Sequence, residues 1–183
     1  MSRTEITISG VGGQGSILAG DILGSAAVSH AGLFAVKTQA YSSELRGGFA
    51  AAWVIVSDEP VVYPRVTTPD ILTAQAQDAI ERFIGTLRPG GVLIVDSDMI
   101  ASPPEGPWRV FGVPATSISR NDIGLSITAN MVMLGALWEV SRLIPREAFE
   151  AAISSAVPAG KDRINLEAFA LGVKQVKLLS SCE

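Results

Sequence analysis

One short segment constrains the fold more than any other: the glycine-rich turn GVGGQG at residues 10–15. Residues 4–9 before it alternate in polarity and predict a β-strand, and the segment Ser16 to Ala31 after it predicts an α-helix that ends at Gly32. In such a unit, glycines let the backbone turn sharply, and the first N–H groups of the helix point at the turn. The segment therefore predicts a site for a phosphate, a carboxylate or a partner's backbone carbonyl.

Strands and helices alternate along most of the remaining chain. Further strands are predicted at 33–38, 51–57, 71–74, 92–96 and 108–113, with a short extended edge piece between Pro60 and Pro64. Further helices are predicted at 76–87, 126–143, 145–157 and 164–179. This order predicts an α/β, Rossmann-like fold: a mostly parallel open sheet flanked by helices, with a helical C-terminal third.

The composition favours a single domain with a permanent protein partner. We expect residues 1–183 to form one domain, since this length suffices for one hydrophobic core. Hydrophobic residues make up 48% of the chain and charged residues only 17%, against a typical charged share of about 25%. Excess apolar surface usually becomes an interface. No apolar run is long enough to span a membrane and no signal peptide is apparent, so we expect a cytoplasmic protein.

Several function classes are disfavoured by charge and by residue type. The net charge of −4 and the lack of a Lys/Arg cluster argue against nucleic acid. The one cysteine, Cys182, and the one histidine, His30, cannot build a four-cysteine iron–sulfur site or a histidine-rich metal site. No nucleophile, base and orienting residue can be assembled into a catalytic triad. We expect no catalytic residue, no metal and no cofactor held by this chain alone.

The glycine turn leaves three interpretations open. A dinucleotide site requires an acid at the end of the second strand, to bind the ribose. That place is occupied by Thr38 and Gln39, and no acid follows before Glu44, which disfavours NAD(P). The glycines could instead only permit tight packing of strand on helix, or they could contact an anion or a partner.

A second glycine-containing segment, YSSELRGG, covers residues 41–48. It follows the second predicted strand, so we expect it to lie beside the glycine turn at the carboxyl edge of the sheet. Arg46 offers a planar donor fork suited to a carboxylate or a phosphate. The alternative is a surface ion pair between Glu44 and Arg46.

These segments, taken in order, resemble the γ subunit of 2-oxoacid:ferredoxin oxidoreductases. The resemblance rests on GVGGQG at 10–15, RGG at 46–48, SDEPVVYPRV at 57–66, PDILTA at 69–74, ITANMVMLGAL at 127–137 and NLEAFALG at 165–172. One departure is Ser42-Ser43, where relatives often carry Gly-Pro, and it leaves the paralogue open.

The resemblance implies an accessory subunit of a multisubunit enzyme that is inactive alone. Such enzymes convert a 2-oxoacid, coenzyme A and oxidised ferredoxin into acyl-CoA, carbon dioxide and reduced ferredoxin. The complex is expected to use thiamine diphosphate, Mg, iron–sulfur clusters and coenzyme A. The implied partners are the α and β subunits, with a δ subunit as a further candidate, and ferredoxin through the complex. A homodimer of the isolated chain is a further expectation.

2-Oxoglutarate is the first candidate substrate. Pyruvate, branched-chain or aryl 2-oxoacids, and an independent nucleotide-binding oxidoreductase, are the alternatives. The residues to which the resemblance and the two loops assign a binding role are Gly12, Gly13, Gln14, Gly15, Ser16, Ser43, Glu44, Arg46, Gly47, Gly48 and Asn130. Asn130 lies in an otherwise apolar helix and therefore needs a hydrogen-bond partner; a loop carbonyl is the simplest one.

Overall fold

All strands of the computed structural model, which describes residues 3–41 and 48–181, lie in one mixed sheet. The strands are β1 (Arg3–Val11), β2 (Phe34–Tyr41), β3 (Phe49–Ser57), β4 (Ile71–Ala74), β5 (Val92–Asp96), β6 (Arg109–Val113) and β7 (Lys177–Ser180). The helices are α1 (Ser16–Ser25), α2 (Gln77–Phe83), α3 (Ala115–Ser117), α4 (Ala129–Ser141), α5 (Arg146–Ala156) and α6 (Asp162–Gln175). The order of strands is β2-β3-β1-β4-β5-β6-β7.

The centre of the sheet is parallel, as predicted, and both sides end in antiparallel strands. β1, β4, β5 and β6 are parallel neighbours, whereas β3 runs antiparallel to both β1 and β2, and β7 runs antiparallel to β6. A short connection between β2 and β3 permits only antiparallel pairing, because a parallel pair needs a long crossover. The α/β class and the flanking helices are therefore confirmed, with this mixed character at the edges.

Helices cover both faces of the sheet. α1, α4, α5 and α6 pack on one face, where they meet Ile6 and Ile8 of β1. α2 packs on the other face against Leu72 and Ala74 of β4. Every side chain of β5 is buried, because alternate residues enter the two cores, and this explains its continuous apolar sequence.

α4 and α6 cross at a pair of glycines. A Cβ atom added to Gly135 would overlap the carbonyl oxygen of Phe169, and one added to Gly172 would overlap that of Val132. The two backbones thus touch directly. This contact fixes α4, and with it Asn130 near its first turn, against the C-terminal helix.

The structure corrects three sequence predictions of secondary structure. The helix predicted over 164–179 ends at Gln175, and Lys177–Ser180 forms β7 instead, with Leu179 packed over Gly112. The piece between Pro60 and Pro64 forms no strand, since a proline cannot donate to a ladder. The long helix predicted over 126–143 is one turn of 3-10 helix, Ser126–Thr128, followed by α4.

Candidate functional site

The glycine turn joins β1 to α1 at the carboxyl edge of the sheet. Gly13 and Gly15 have φ angles of 94° and 76°, which favour glycine. A Cβ on Gly10 would lie 2.5 Å from Oε1 of Gln14, and one on Gly15 would overlap the side chain of Asn130. The positive φ angles favour glycine at positions 13 and 15, and the close contacts at Gly10 and Gly15 show tight packing within the turn.

Gln14 holds the turn closed through its side chain. Its Oε1 accepts a hydrogen bond from the N–H of Val11 at 2.8 Å, and its Nε2 donates to the carbonyl of Gln75 at 3.0 Å. The side chain of Gln75 donates in return to the carbonyl of Gln14 at 3.4 Å. The backbone N–H of Gln75 is bonded to Ser9 of β1. Gln14 is thus a structural residue of the turn, tied to the end of β4.

Asn130 supports the turn from the side of α4. Only 2% of the residue is exposed, and its Nδ2 donates to the carbonyl of Gly15 at 3.4 Å. A loop carbonyl is therefore its partner, as expected from the sequence. Its Oδ1 is buried without a hydrogen-bond partner, and so are Oγ of Ser16 and Oε1 of Gln75. Burying such an atom without a partner costs about 1–3 kcal/mol. Contacts elsewhere in the fold must therefore offset this cost and hold the turn in this arrangement.

The two glycine-containing segments meet, as predicted, at Gly48. The N–H of Gly12 donates to the carbonyl of Gly48 at 2.7 Å. Ser43, Glu44, Arg46 and Gly47 lie outside the described residues, so their predicted binding roles stay predictions. Gly48 itself, directly before β3, is in contact with the turn.

The outer side of the turn can receive an anion. Gly12 and Gly13 are exposed, and a Cβ on Gly13 would meet nothing within 4 Å. Within 3–41 and 48–181, no group accepts a hydrogen bond from the N–H of Gly13 or Gly15. The first turn of α1 carries no acidic residue, so the partial positive charge of the helix N-terminus is not neutralised there. These N–H groups suit a phosphate or carboxylate oxygen, or a partner's carbonyl.

The sheet topology disfavours a dinucleotide in a further way. In the nucleotide-binding order of strands, the second strand lies next to the first. Here β3 separates β2 from β1. Lys37 of β2, next to Thr38, is bonded to Asp21 and to Gln39, so the carboxylate of Asp21 is already paired with a lysine.

One buried acid was missed by sequence reasoning. Asp96, at the end of β5, is 1% exposed and accepts hydrogen bonds from the N–H groups of Ala115 and Thr116 and from Oγ1 of Thr116 at 2.6 Å. It caps α3. Burial raises the pKa of the Asp96 carboxyl, although the hydrogen bonds from Thr116 and Asp98 oppose that change. The available signal was an acid directly after a buried strand, VLIV.

The described residues contain no cluster of three or more histidine, cysteine, aspartate or glutamate side chains that could bind a metal ion. In the same part of the chain, no helix has both the length and the apolar character needed to cross a membrane.

Comparison with known proteins identifies the family. A family model described as pyruvate ferredoxin/flavodoxin oxidoreductase matches residues 5–175. The 2-oxoglutarate synthase subunit KorC of Methanothermobacter marburgensis is 44% identical over 176 residues, which cover 93% of this chain and 95% of that protein. The chain therefore belongs to the pyruvate ferredoxin/flavodoxin oxidoreductase family.

Two solved structures place it more narrowly. The γ subunit of keto/oxoacid ferredoxin oxidoreductase from Geobacter sulfurreducens has a TM-score of 0.87 and 39% identity, over 96% of this chain and 97% of that one. The 2-oxoglutarate:ferredoxin oxidoreductase from Magnetococcus marinus, with 2-oxoglutarate, coenzyme A and succinyl-CoA bound, has a TM-score of 0.85 and 26% identity, and the match covers 95% of this chain but 31% of that chain. The chain corresponds to the γ subunit, an accessory subunit of 2-oxoacid:ferredoxin oxidoreductases.

Proposed function

We propose that this γ subunit serves a CoA-acylating oxidoreductase whose substrate is 2-oxoglutarate. The observation that carries the proposal is the 44% identity, over nearly the whole of both chains, to a 2-oxoglutarate synthase subunit. Pyruvate, branched-chain and aryl 2-oxoacids are the alternatives. A ketoisovalerate oxidoreductase subunit from the related Methanothermobacter thermautotrophicus is less similar, at 38% identity.

The reactive groups belong to the other subunits in this proposal. Thiamine diphosphate with Mg supplies the decarboxylation chemistry and iron–sulfur clusters carry the electrons to ferredoxin. We assign these groups to the α, β and δ subunits, because this chain has one cysteine and one histidine. Residues 1–183 act as one γ domain in the cytoplasm, without contact to nucleic acid or membrane.

The γ subunit contributes an anion-binding edge to the complex. The N–H groups of Gly13 and Gly15, which have no acceptor within the described residues, support a contact with a phosphate of coenzyme A or with a partner's carbonyl, and Arg46 adds a fixed cation in the neighbouring segment. Gln14 and Asn130 act indirectly in this proposal: they keep the turn in shape and do not touch the ligand.

The test is steady-state kinetics of the assembled complex with Arg46→Ala. We expect the KM for coenzyme A to rise about tenfold, the usual scale for loss of one charge-assisted contact, with kcat changed less. Arg120→Ala, which removes an exposed arginine in a different part of the chain, serves as the matched control. If Arg46→Ala has wild-type KM and kcat, the segment only holds the complex together.

The substrate is tested with the same complex. We expect kcat/KM for 2-oxoglutarate to exceed the values for pyruvate, 2-oxoisovalerate and phenylpyruvate by at least about tenfold. A higher value for any of the other three acids assigns the complex to a paralogue.

A further inference from the structure

An apolar groove lies beside the glycine turn, between α1, the first turn of α4 and the connection from α5 to α6. Its volume is about 320 Å³. The apolar lining residues include Leu18, Leu125, Ile127, Met131, Val157 and Pro158. The groove is therefore large enough for one or two aliphatic or aromatic side chains of another molecule.

The lip of the groove exposes apolar side chains to solvent. Ile127 is 68% exposed and Leu18 is 37% exposed. Ile127 lies in the 3-10 turn Ser126–Thr128, directly before α4, whose side chains from Asn130 to Trp138 are buried. Apolar lips of this kind around a concavity are typical of protein interfaces.

One end of the groove carries an unpaired cation. Lys161 lines the groove and is exposed, and no carboxylate within the described ranges forms an ion pair with it. An occupant with an acidic residue next to an apolar one would satisfy both features.

The walls of the groove are held in place by the core. Leu18 lies two residues after Ser16, which is 1% exposed, and Met131 is 1% exposed at the groove floor. The glycine crossing of α4 with α6 fixes the wall that carries Asn165. A partner therefore meets a formed site and does not have to order it, which lowers the entropic cost of binding.

Two relatives carry a similar unit within a longer chain. The match covers only 31% of the Magnetococcus chain and 33% of a ketoisovalerate oxidoreductase subunit. In those proteins a similar unit is part of a chain about three times as long, so the rest of that chain is a permanent neighbour. This supports a protein neighbour for the similar unit described here as well.

From these observations, we propose that the groove is the docking site for a segment of a catalytic subunit. The segment places an aliphatic or aromatic side chain between Leu18 and Ile127, and an aspartate or glutamate next to that side chain pairs with Lys161. The proposal rests on the function proposed above, and it adds the surface and the chemistry of the contact.

The experiment measures the affinity of the full-length chain for the separately purified subcomplex of catalytic subunits. We expect Ile127→Asp to weaken binding about tenfold or more, because it places a charge in the apolar contact. Lys161→Glu should weaken binding several-fold and reduce its dependence on salt, whereas Lys161→Arg should bind within about twofold of the wild type.

Val62→Asp is the matched control. Val62 is 94% exposed and does not line the groove, so the same added charge should leave the affinity unchanged. Thermal unfolding of each isolated variant shows whether the fold is retained; the exposure of Ile127 predicts that it is. If Lys161→Glu fails to fold, Lys161→Gln replaces it with the same expected direction.

Other occupants give different results, each of which overturns the proposal. If Ile127→Asp binds the subcomplex with the same affinity as the wild type, the groove is not the interface. A dimer of the isolated chain that Ile127→Asp dissociates, seen by analytical ultracentrifugation, assigns the groove to a second copy. If Ile127→Asp raises the KM of the assembled complex for coenzyme A and leaves the affinity between subunits unchanged, the groove binds a ligand. If the wild-type chain does not bind the subcomplex, the proposed function fails together with the docking site.

Discussion

Gln14 and Gln75 hold each other through reciprocal hydrogen bonds, each side chain donating to the backbone carbonyl of the other. The pair connects the glycine turn to the end of β4, and the Oε1 of Gln14 also binds the N–H of Val11. The shape of the turn therefore depends on a residue 61 positions further along the chain.

Gln14→Ala should lower the free energy of unfolding of the isolated chain by about 2 kcal/mol, because it leaves the N–H of Val11 and the carbonyl of Gln75 without partners. Urea denaturation measures this change. Gln77→Ala, at an exposed position in the first turn of α2, is the control and should change stability by less than about 0.5 kcal/mol. Equal stability of Gln14→Ala and the wild type would show that the turn does not need the pair.

Gly172→Ala should be among the most damaging small substitutions. The new methyl group would overlap the carbonyl of Val132, so α4 and α6 would have to separate. Such overpacking costs about 1–3 kcal/mol or more, and we expect about 3 kcal/mol in urea denaturation. Gly24→Ala is the matched control: nothing lies within 4 Å of the added atom, and alanine favours the helix by up to about 1 kcal/mol. Similar effects of the two substitutions would contradict the described crossing.

The backbone conformation of Arg142 predicts which of two substitutions at this position gives the more stable protein. It has a φ angle of 47° and is the one non-glycine residue with positive φ within 3–41 and 48–181. Its guanidinium lies 3.9 Å from the centre of the Trp138 ring and bonds to Glu139. Both Arg142→Ala and Arg142→Gly lose these side-chain contacts. Alanine still has the cost of about 1–2 kcal/mol of holding a residue with a Cβ atom in the left-handed conformation, whereas glycine does not. We therefore expect a higher Tm for Arg142→Gly than for Arg142→Ala; the reverse order would exclude the left-handed conformation.

The buried Asp96 predicts a pH dependence of stability. Burial raises its pKa above the ordinary value of 3.8, so between these two pKa values the folded state keeps a proton that the unfolded chain has released. The contribution of Asp96 to stability is therefore fully present below 3.8 and decreases as pH rises through this window.

Asp96→Asn does not titrate, so its stability relative to the wild type should increase with pH through the window and stay constant above it. Urea denaturation at a series of pH values measures the difference, with Asp78→Asn, an exposed carboxylate of α2, as the control for net charge. A difference that is independent of pH, or that decreases as pH rises, would contradict the account.

Most of the fold was accessible from the sequence because its signals are local. β4 (71–74) and β5 (92–96) were predicted to the residue, since both strands are short, apolar and bounded by turns. The segment 176–179 was mistaken for helix because its apolar spacing fits both a helix and a strand. A tertiary contact selects the strand: Leu179 packs over Gly112 at the edge of the sheet. The local sequence pattern does not indicate this contact.

The site was predictable in position and less so in role. The glycine turn, its neighbour Gly48 and the buried Asn130 were found, and Gly12 does contact Gly48. The binding role of Gln14 stays a prediction, and the structure adds that its side-chain amide forms hydrogen bonds within the turn. Its partner Gln75 was not expected, because a long-range amide pair leaves no periodicity in the sequence. Asp96 was missed although it directly follows the buried run VLIV, because its partners at the start of α3 lie about 20 residues further along the chain.

The central claim is that this chain works only inside a complex whose reactive groups lie on other subunits. Its most direct test is 2-oxoglutarate- and CoA-dependent reduction of ferredoxin, measured with the isolated chain, with the other subunits alone and with both combined. We expect no reduction by the isolated chain and full activity only after recombination. Ferredoxin reduction by the isolated chain, or undiminished activity without it, would contradict the account.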